Sequence, residues 1–166
     1  MSAMGGAEKA DPEPEVEVIL VTGGDDLILL KTLLVEYAEA FDHQLCFDAF
    51  EEELASLPHP YMGADGALFL AKVDGASAGC VALKRISKKK AEMKRLFVRE
   101  GFRGHALGRR LTEAAADAAR ERGFKTMRVE TVPATMGVAE ALYRQLGFEA
   151  NAKAGNEAIA VYDLTL

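Results

Sequence analysis

Between Ala91 and Leu111 the chain reads Ala-Glu-Met-Lys-Arg-Leu-Phe-Val-Arg-Glu-Gly-Phe-Arg-Gly-His-Ala-Leu-Gly-Arg-Arg-Leu. The apolar run Leu96, Phe97, Val98 suits a strand, and no proline or β-branched residue obstructs a helix opening a few residues later. Between them lies Arg103-Gly104-His105-Ala106-Leu107-Gly108-Arg109, small and basic. A helix N-terminus carries backbone N–H groups without intrahelical acceptors and roughly half a positive charge, so it suits a phosphate wherever the turn lets backbone approach closely. Gly104, Ala106 and Gly108 leave that room. The chemistry this implies is the binding of a small polyphosphate.

Two further side chains could move protons. Glu92 stands six residues before Val98 on the same strand, and strict alternation would put it on one face with Lys94, Leu96 and Val98. Tyr143 stands in Leu142-Tyr143-Arg144-Gln145-Leu146-Gly147-Phe148, a helix end closed by glycine. Each has a plain structural alternative. Glu92 can pair with Lys94 or Arg128, and Tyr143 can pack on a sheet with its hydroxyl satisfied elsewhere.

The spacing Arg103-x-x-Ala106-x-Gly108 resembles the acyl-CoA pyrophosphate loop of the GNAT superfamily of N-acyltransferases, and residues 127–148, ending Leu-Tyr-x-x-x-Gly-Phe, resemble the second half of the same domain. Ala106 departs from the pattern, standing where glycine is usual, and Met136 stands where asparagine is frequent. The resemblance implies acetyl-CoA as co-substrate, with Leu96, Phe97 and Val98 along its pantetheine arm and residues 103–109 at its pyrophosphate. It implies Glu92 as general base, with Glu130 or a water chain as competitors, and Tyr143 as proton donor to the departing thiolate. Transfer of acetyl to a primary amine by direct attack in a ternary complex is the expected activity. A non-catalytic acyl-CoA-binding or sensing module is the alternative. A dinucleotide-binding oxidoreductase would need Gly-x-Gly-x-x-Gly after a strand, a string the chain lacks.

The elements that must hold these residues follow from patterning. Residues 1–15 mix glycine, alanine, proline and acids without period and read as a disordered tail, leaving 16–166 as one domain. Residues 16–21 suit a strand, and Leu27, Leu30, Leu34, Ala38 and Phe41 recur at helical spacing. Residues 48–57 suit a helix capped by Asp48 and stopped by Pro58 and Pro60. Residues 67–73 and 78–86 are apolar runs joined through Asp74-Gly75, a hairpin signal. After the 91–98 strand come a helix over 108–122 ended by Gly123, a strand over 127–132, a helix from about Met136 to Leu146, and closing strands at 148–152 and 158–166. The fold class is therefore mixed α/β. The resemblance makes it a mainly antiparallel sheet of about seven strands with helices on both faces, splayed between 91–98 and 127–132.

Composition narrows the partners. With 166 residues, 49% apolar and 28% charged, the chain can bury a core without disulfides or metals. A net charge of −6 argues against general nucleic-acid binding and suits a cationic acceptor. Against it, residues 94–110 gather Lys94, Arg95, Arg99, Arg103, Arg109 and Arg110 around one acid, Glu100. Cys46 and Cys80 read as small buried thiols, and the pair His43–Cys46 lacks a second pair to complete a metal site, so no metal is expected. The N-terminus carries no signal-peptide pattern and no run is long enough to span a membrane, which leads us to expect a cytoplasmic protein. The acceptor, a small-molecule amine or a peptide or protein amine, is not legible, nor is the choice between monomer and homodimer.

Overall fold

The computed structural model describes residues 12–40 and 50–166, apart from the side chains of 133–138. The proposed cap Asp48, the pair His43–Cys46, most of the N-terminal tail and the side chain of Met136 lie outside the described residues. In chain order the elements are β1 (Val16–Leu20), α1 (Gly24–Ala40), α2 (Phe50–Ser56), β2 (Gly66–Val73), β3 (Ala76–Arg85), β4 (Lys90–Val98), α3 (Leu107–Glu121), β5 (Thr126–Thr131), α4 (Pro133–Gln145), β6 (Glu149–Ala150) and β7 (Ala160–Thr165). Single 3₁₀ turns precede β2 and follow β4.

The seven strands form one mixed sheet in the order β1-β2-β3-β4-β5-β7-β6. Every neighbouring pair is antiparallel except β4 with β5. Asp74 and Gly75, at φ 49° and 85°, make the two-residue turn between β2 and β3 as the dipeptide predicted. Glu15 does not belong to a free tail: it exchanges hydrogen bonds with Asp74, its N–H donating to Oδ1 at 2.9 Å and its carbonyl accepting from the Asp74 N–H at 2.8 Å.

One layer of core lies between the sheet and α3 and α4. Leu107, Leu111, Ala115 and Ala118 supply the α3 stripe as the spacing predicted, joined by Ala116 and Ala119, against Val81, Leu83, Ala91, Met93, Met127 and Val129. Alanines bring the helix close to the sheet. The other layer packs Leu30, Leu33 and Leu34 of α1 and Phe50 of α2 on Leu68, Leu70, Cys80 and Ala82. Full burial of each such leucine is worth about 1.5–3 kcal/mol. Gly123, at φ 83°, ends the α3 region, and the Phe124 N–H donates to the Ala119 carbonyl at 3.0 Å. The last helix begins earlier than its apolar spacing suggested, because Pro133 occupies its first turn, where a missing N–H costs nothing.

Two irregularities of β4 shape everything near the proposed site. Its parallel register with β5 runs only from Lys90↔Thr126 to Met93↔Val129. Beyond Met93 the two strands part, so the β5-facing edge of residues 94–98 has no strand partner among the described residues. The antiparallel register with β3 steps from Cys80↔Phe97 to Ala82↔Lys94, one residue more on β4 than on β3. Arg95 sits at this bulge with φ 61°. The extra residue reverses the alternation. Leu96 and Val98 therefore pack in the α3 layer with Ala91 and Met93, while Phe97 joins the α1 layer. The expectation that Glu92 shares a face with Leu96 and Val98 is corrected accordingly: of the three residues expected beside it only Lys94 is there, with Phe97 joining that face beyond the bulge.

Candidate active site

A cavity of about 520 Å³ opens where β4 and β5 part. Residues 94–98 form one wall, with Glu130 of β5 opposite, Tyr37 of α1 on one side and Leu142 and Tyr143 of α4 on the other. Arg103 and Gly108 close the end nearest α3.

The α3 end has the features an anion needs. Gly104 and Ala106 adopt φ of 96° and 56°, so the chain bends twice through left-handed conformations just before α3, a kind of turn that can form an anion-binding concavity. The helix starts without a side-chain cap, and its first backbone bond is from the Arg110 N–H to the Ala106 carbonyl at 3.0 Å. The N–H groups of Leu107, Gly108 and Arg109 thus have no intrahelical acceptor. Gly108 is small for a second reason: a Cβ there would meet Leu142 Cδ2 at 3.1 Å, so glycine also lets α4 approach α3. Gly104 has open space around its missing Cβ and is required by its φ instead.

The basic cluster read from the sequence is smaller than it looked, because long-range acids claim part of it. Arg95 pairs with Glu53 of α2, and Arg99 with Glu36 of α1 at 2.8 Å. Arg109 pairs with Glu113 one turn on, at 3.6 Å. Lys94, Arg103 and Arg110 have no ion pair among the described residues.

Tyr143 is 3% exposed and its ring packs on Phe148, with centroids 5.3 Å apart. The residue lines the cavity, and its hydroxyl makes no hydrogen bond among the described residues. Burial, with a smaller contribution from Tyr37 across the cavity, raises its pKa. A buried hydroxyl without a partner is uncommon in a native protein and points to a group supplied from outside.

Glu92 is half-buried and stands behind the cavity wall. Burial holds its carboxyl above the usual range, Lys94 opposing and Glu130 reinforcing the shift. Neither suggested partner takes it: Arg128 is committed to Asp163 through two bonds of 2.9 and 3.1 Å, and Lys94 forms no ion pair with it. Of the residues chosen from sequence, Leu96, Phe97, Val98, Arg103, Gly108 and Tyr143 meet at the cavity. Gly104, His105, Ala106, Leu107 and Arg109 shape the loop and first turn beyond its wall, and Leu107 is buried in the core.

Sequence reasoning missed the polar cluster on the other side of β4. Arg95 donates from Nε and Nη2 to the Glu53 carboxylate at 3.0 and 3.1 Å, and its guanidinium lies 5.3 Å from the Phe50 ring centroid. Burial alone would raise the Glu53 pKa, but Arg95 and the Tyr61 hydroxyl outweigh it and the net shift is downward. Two basic residues in succession inside a strand, Lys94 and Arg95, were the available signal, since strict alternation would turn one of them to each face of the sheet. Cys80 behaves as read: it is 1% exposed, burial pushes its thiol up to about 12, and its Sγ donates to the Arg95 carbonyl at 3.5 Å.

The geometry fits acetyl-CoA by its helix start without a side-chain cap and, among the described residues, by its open strand edge and a tyrosine hydroxyl without a hydrogen bond. Comparison with known proteins agrees. An acetyltransferase from Streptococcus agalactiae shares the fold with a TM-score of 0.75 at 21% identity, over 91% of this chain and 98% of that one. A GNAT-family acetyltransferase from Elizabethkingia anophelis, solved with acetyl-CoA bound, gives 0.67 at 19% identity, over 91% and 98%. In sequence, an uncharacterized N-acetyltransferase of Schizosaccharomyces pombe is 32% identical over 126 residues, 75% of this chain and 77% of that protein. Fold and sequence together define the class as acetyltransferase. Residues 29–148 match the acetyltransferase (GNAT) family, and the chain belongs to it.

Proposed function

We propose that the chain is an acetyl-CoA-dependent N-acetyltransferase acting on a primary amine, with transfer by direct attack in a ternary complex. The observation that carries this reading is Tyr143, a buried residue on the wall of the cavity between β4 and β5, whose hydroxyl has no hydrogen-bond partner among the described residues. Bound acetyl-CoA would supply an activated acetyl group as its thioester.

The chain's own groups divide the remaining work. Arg103 and the first-turn amides of α3 bind the pyrophosphate. The free edge of residues 96–98 offers backbone donors and acceptors to the pantetheine amides, in the manner of an added strand. A lysine-like amine is almost wholly protonated at neutral pH. Glu92, with its raised pKa, is suited to accept a proton through water, and Glu130 on the cavity wall is the competing base. Tyr143 returns a proton to the departing sulfur, and its own raised pKa keeps it protonated until then.

The reading is tested by acetyl-CoA-dependent thiol release across small amines, peptides and proteins, with acetyl-CoA binding followed by calorimetry. Saturable thiol release with formation of an N-acetyl product supports it. Binding without release across all acceptor classes makes the protein a binding or sensing module, and absence of binding overturns the assignment of the site.

A further inference from the structure

On the face of the sheet opposite α3, four charged residues form one row in strict register across four strands: Lys84 of β3, Glu92 of β4, Arg128 of β5 and Asp163 of β7. The Arg128–Asp163 end is closed on itself by two hydrogen bonds, with the Asn151 amide adding a third to Asp163 at 2.8 Å. The Lys84–Glu92 end is not. The Lys94 side chain, two residues along β4 from Glu92 and on the same face, is likewise without a hydrogen bond or ion pair among the described residues, and so is the Glu130 side chain. The strand nearest the cavity therefore holds a cation and an acid about 7 Å apart along the chain, neither neutralised by contact.

The neighbouring cations have other tasks. Arg95 is bound to Glu53, Arg99 to Glu36, and Arg103 sits at the α3 end, beside the phosphate-binding amides. Lys94 remains on the cavity wall, which Glu130 of β5 also lines. A cavity meant for a purely cationic acceptor gains nothing from a half-buried lysine, which would repel it. Burial, and then the nearby Arg95, lower the Lys94 pKa, with Glu92 opposing, so an anion that arrives relieves a real cost.

We propose that the acceptor is a small zwitterion, a primary amine that also bears a carboxylate, with Lys94 binding the carboxylate and Glu130 on the cavity wall drawing the ammonium, Glu92 adding its charge from behind the wall. Small size follows from the cavity volume of about 520 Å³, part of which the acetyl-bearing arm must share. The proposal rests on the acetyltransferase reading above and deepens it by naming the substrate class.

The test compares matched acceptors by thiol release: β-alanine with β-alaninamide, γ-aminobutyrate with its amide, and δ-aminovalerate with its amide. Longer spacers keep the amine pKa nearly constant within a pair. Wild type should favour the acid over the amide in kcat/KM by at least about tenfold, as a charge-assisted contact in a desolvated site provides. Lys94→Met should bring that ratio towards one, Lys94→Arg should keep most of it, and Lys94→Glu should shift preference towards 1,3-diaminopropane. A wild-type ratio within about threefold of one, well short of that range, overturns the proposal, and so does a Lys94→Met variant that loses acid and amide equally. If none of the pairs turns over while acetyl-CoA binds by calorimetry, the zwitterion proposal falls and the acetyl-CoA site stands. If acetyl-CoA fails to bind, both fall.

Discussion

Arg95 and Glu53 join β4 to α2 at the one position where the strand carries an extra residue, the guanidinium donating twice to the carboxylate at 3.0 and 3.1 Å. Their side chains are only 10% and 15% exposed. A two-bond contact at that depth fixes the short helix beside the cavity, and it holds Arg95 in a backbone conformation that non-glycine residues avoid.

Glu53→Gln keeps the shape but leaves a buried guanidinium uncompensated, and should destabilise the fold by about 2–3 kcal/mol. The Glu53 pKa is lowered in the folded state, so its contribution is present above the unfolded value of about 4.3 and is lost as pH falls through the folded value. Denaturant unfolding should therefore show the full difference between wild type and variant at pH 7 and a shrinking one below about pH 4. A difference that persists undiminished at acid pH would mean the pair acts by packing alone.

Ala106→Gly should stabilise the protein by about 0.5–1 kcal/mol, because Ala106 holds φ 56° at the start of α3 and glycine removes most of that strain at some cost in unfolded-chain entropy. Thermal unfolding reads this directly. Acetyl-CoA affinity should hold or improve, since the methyl group narrows the turn.

Gly108→Glu should abolish acetyl-CoA binding by placing bulk and negative charge at the helix N-terminus. Gly108→Ala separates the two effects. Its Cβ presses on Leu142, a mobile side-chain end, so binding should weaken only a few-fold. Calorimetry showing unchanged affinity for the glutamate variant removes the anion from this loop.

Glu92→Gln should lower turnover at pH 7 by about 10²–10⁴ if this carboxylate is the base. The wild-type rate should rise with pH through the elevated Glu92 pKa and then level, since the base acts deprotonated. The variant should lack that limb and recover as pH approaches the amine's own pKa, about 10.4 for a lysine-like acceptor. A profile matching wild type transfers the role to Glu130 or to water.

Tyr143→Phe removes a hydroxyl that bonds to no described residue, so Tm should hold or rise while turnover falls by about 10²–10⁴. Acetyl-CoA affinity should stay within about threefold of wild type, well inside that range. A fall in turnover of less than about threefold makes Tyr143 a packing residue whose thiolate partner leaves unaided.

What the sequence disclosed was local. Asp74-Gly75 announces its hairpin, Gly123-Phe124 its helix end, and the strand–loop–helix of residues 91–111 its bend, because each rests on backbone preferences a few residues wide. The bulge at Arg95 carried no glycine to mark it, and it was invisible although it decides which side chains reach which layer. The Arg95–Glu53 and Arg99–Glu36 pairs join residues 42 and 63 positions apart, so a cluster counted along the chain overstated the free charge. The same limit applies to Arg128, whose partner Asp163 lies in the last strand, 35 positions on.

The bulge gives β4 two reading frames. Odd-numbered residues face α3 before it and even-numbered ones after it, and the single inserted position absorbs the change of phase. Substitution at Arg95, even by glycine, leaves both frames intact. Deleting that one residue would join them into one unbroken alternation, with Leu96 and Val98 still in the layer of α3 and Phe97 still in that of α1, so the layers survive the loss and what disappears is the kink and the tie from Arg95 to Glu53.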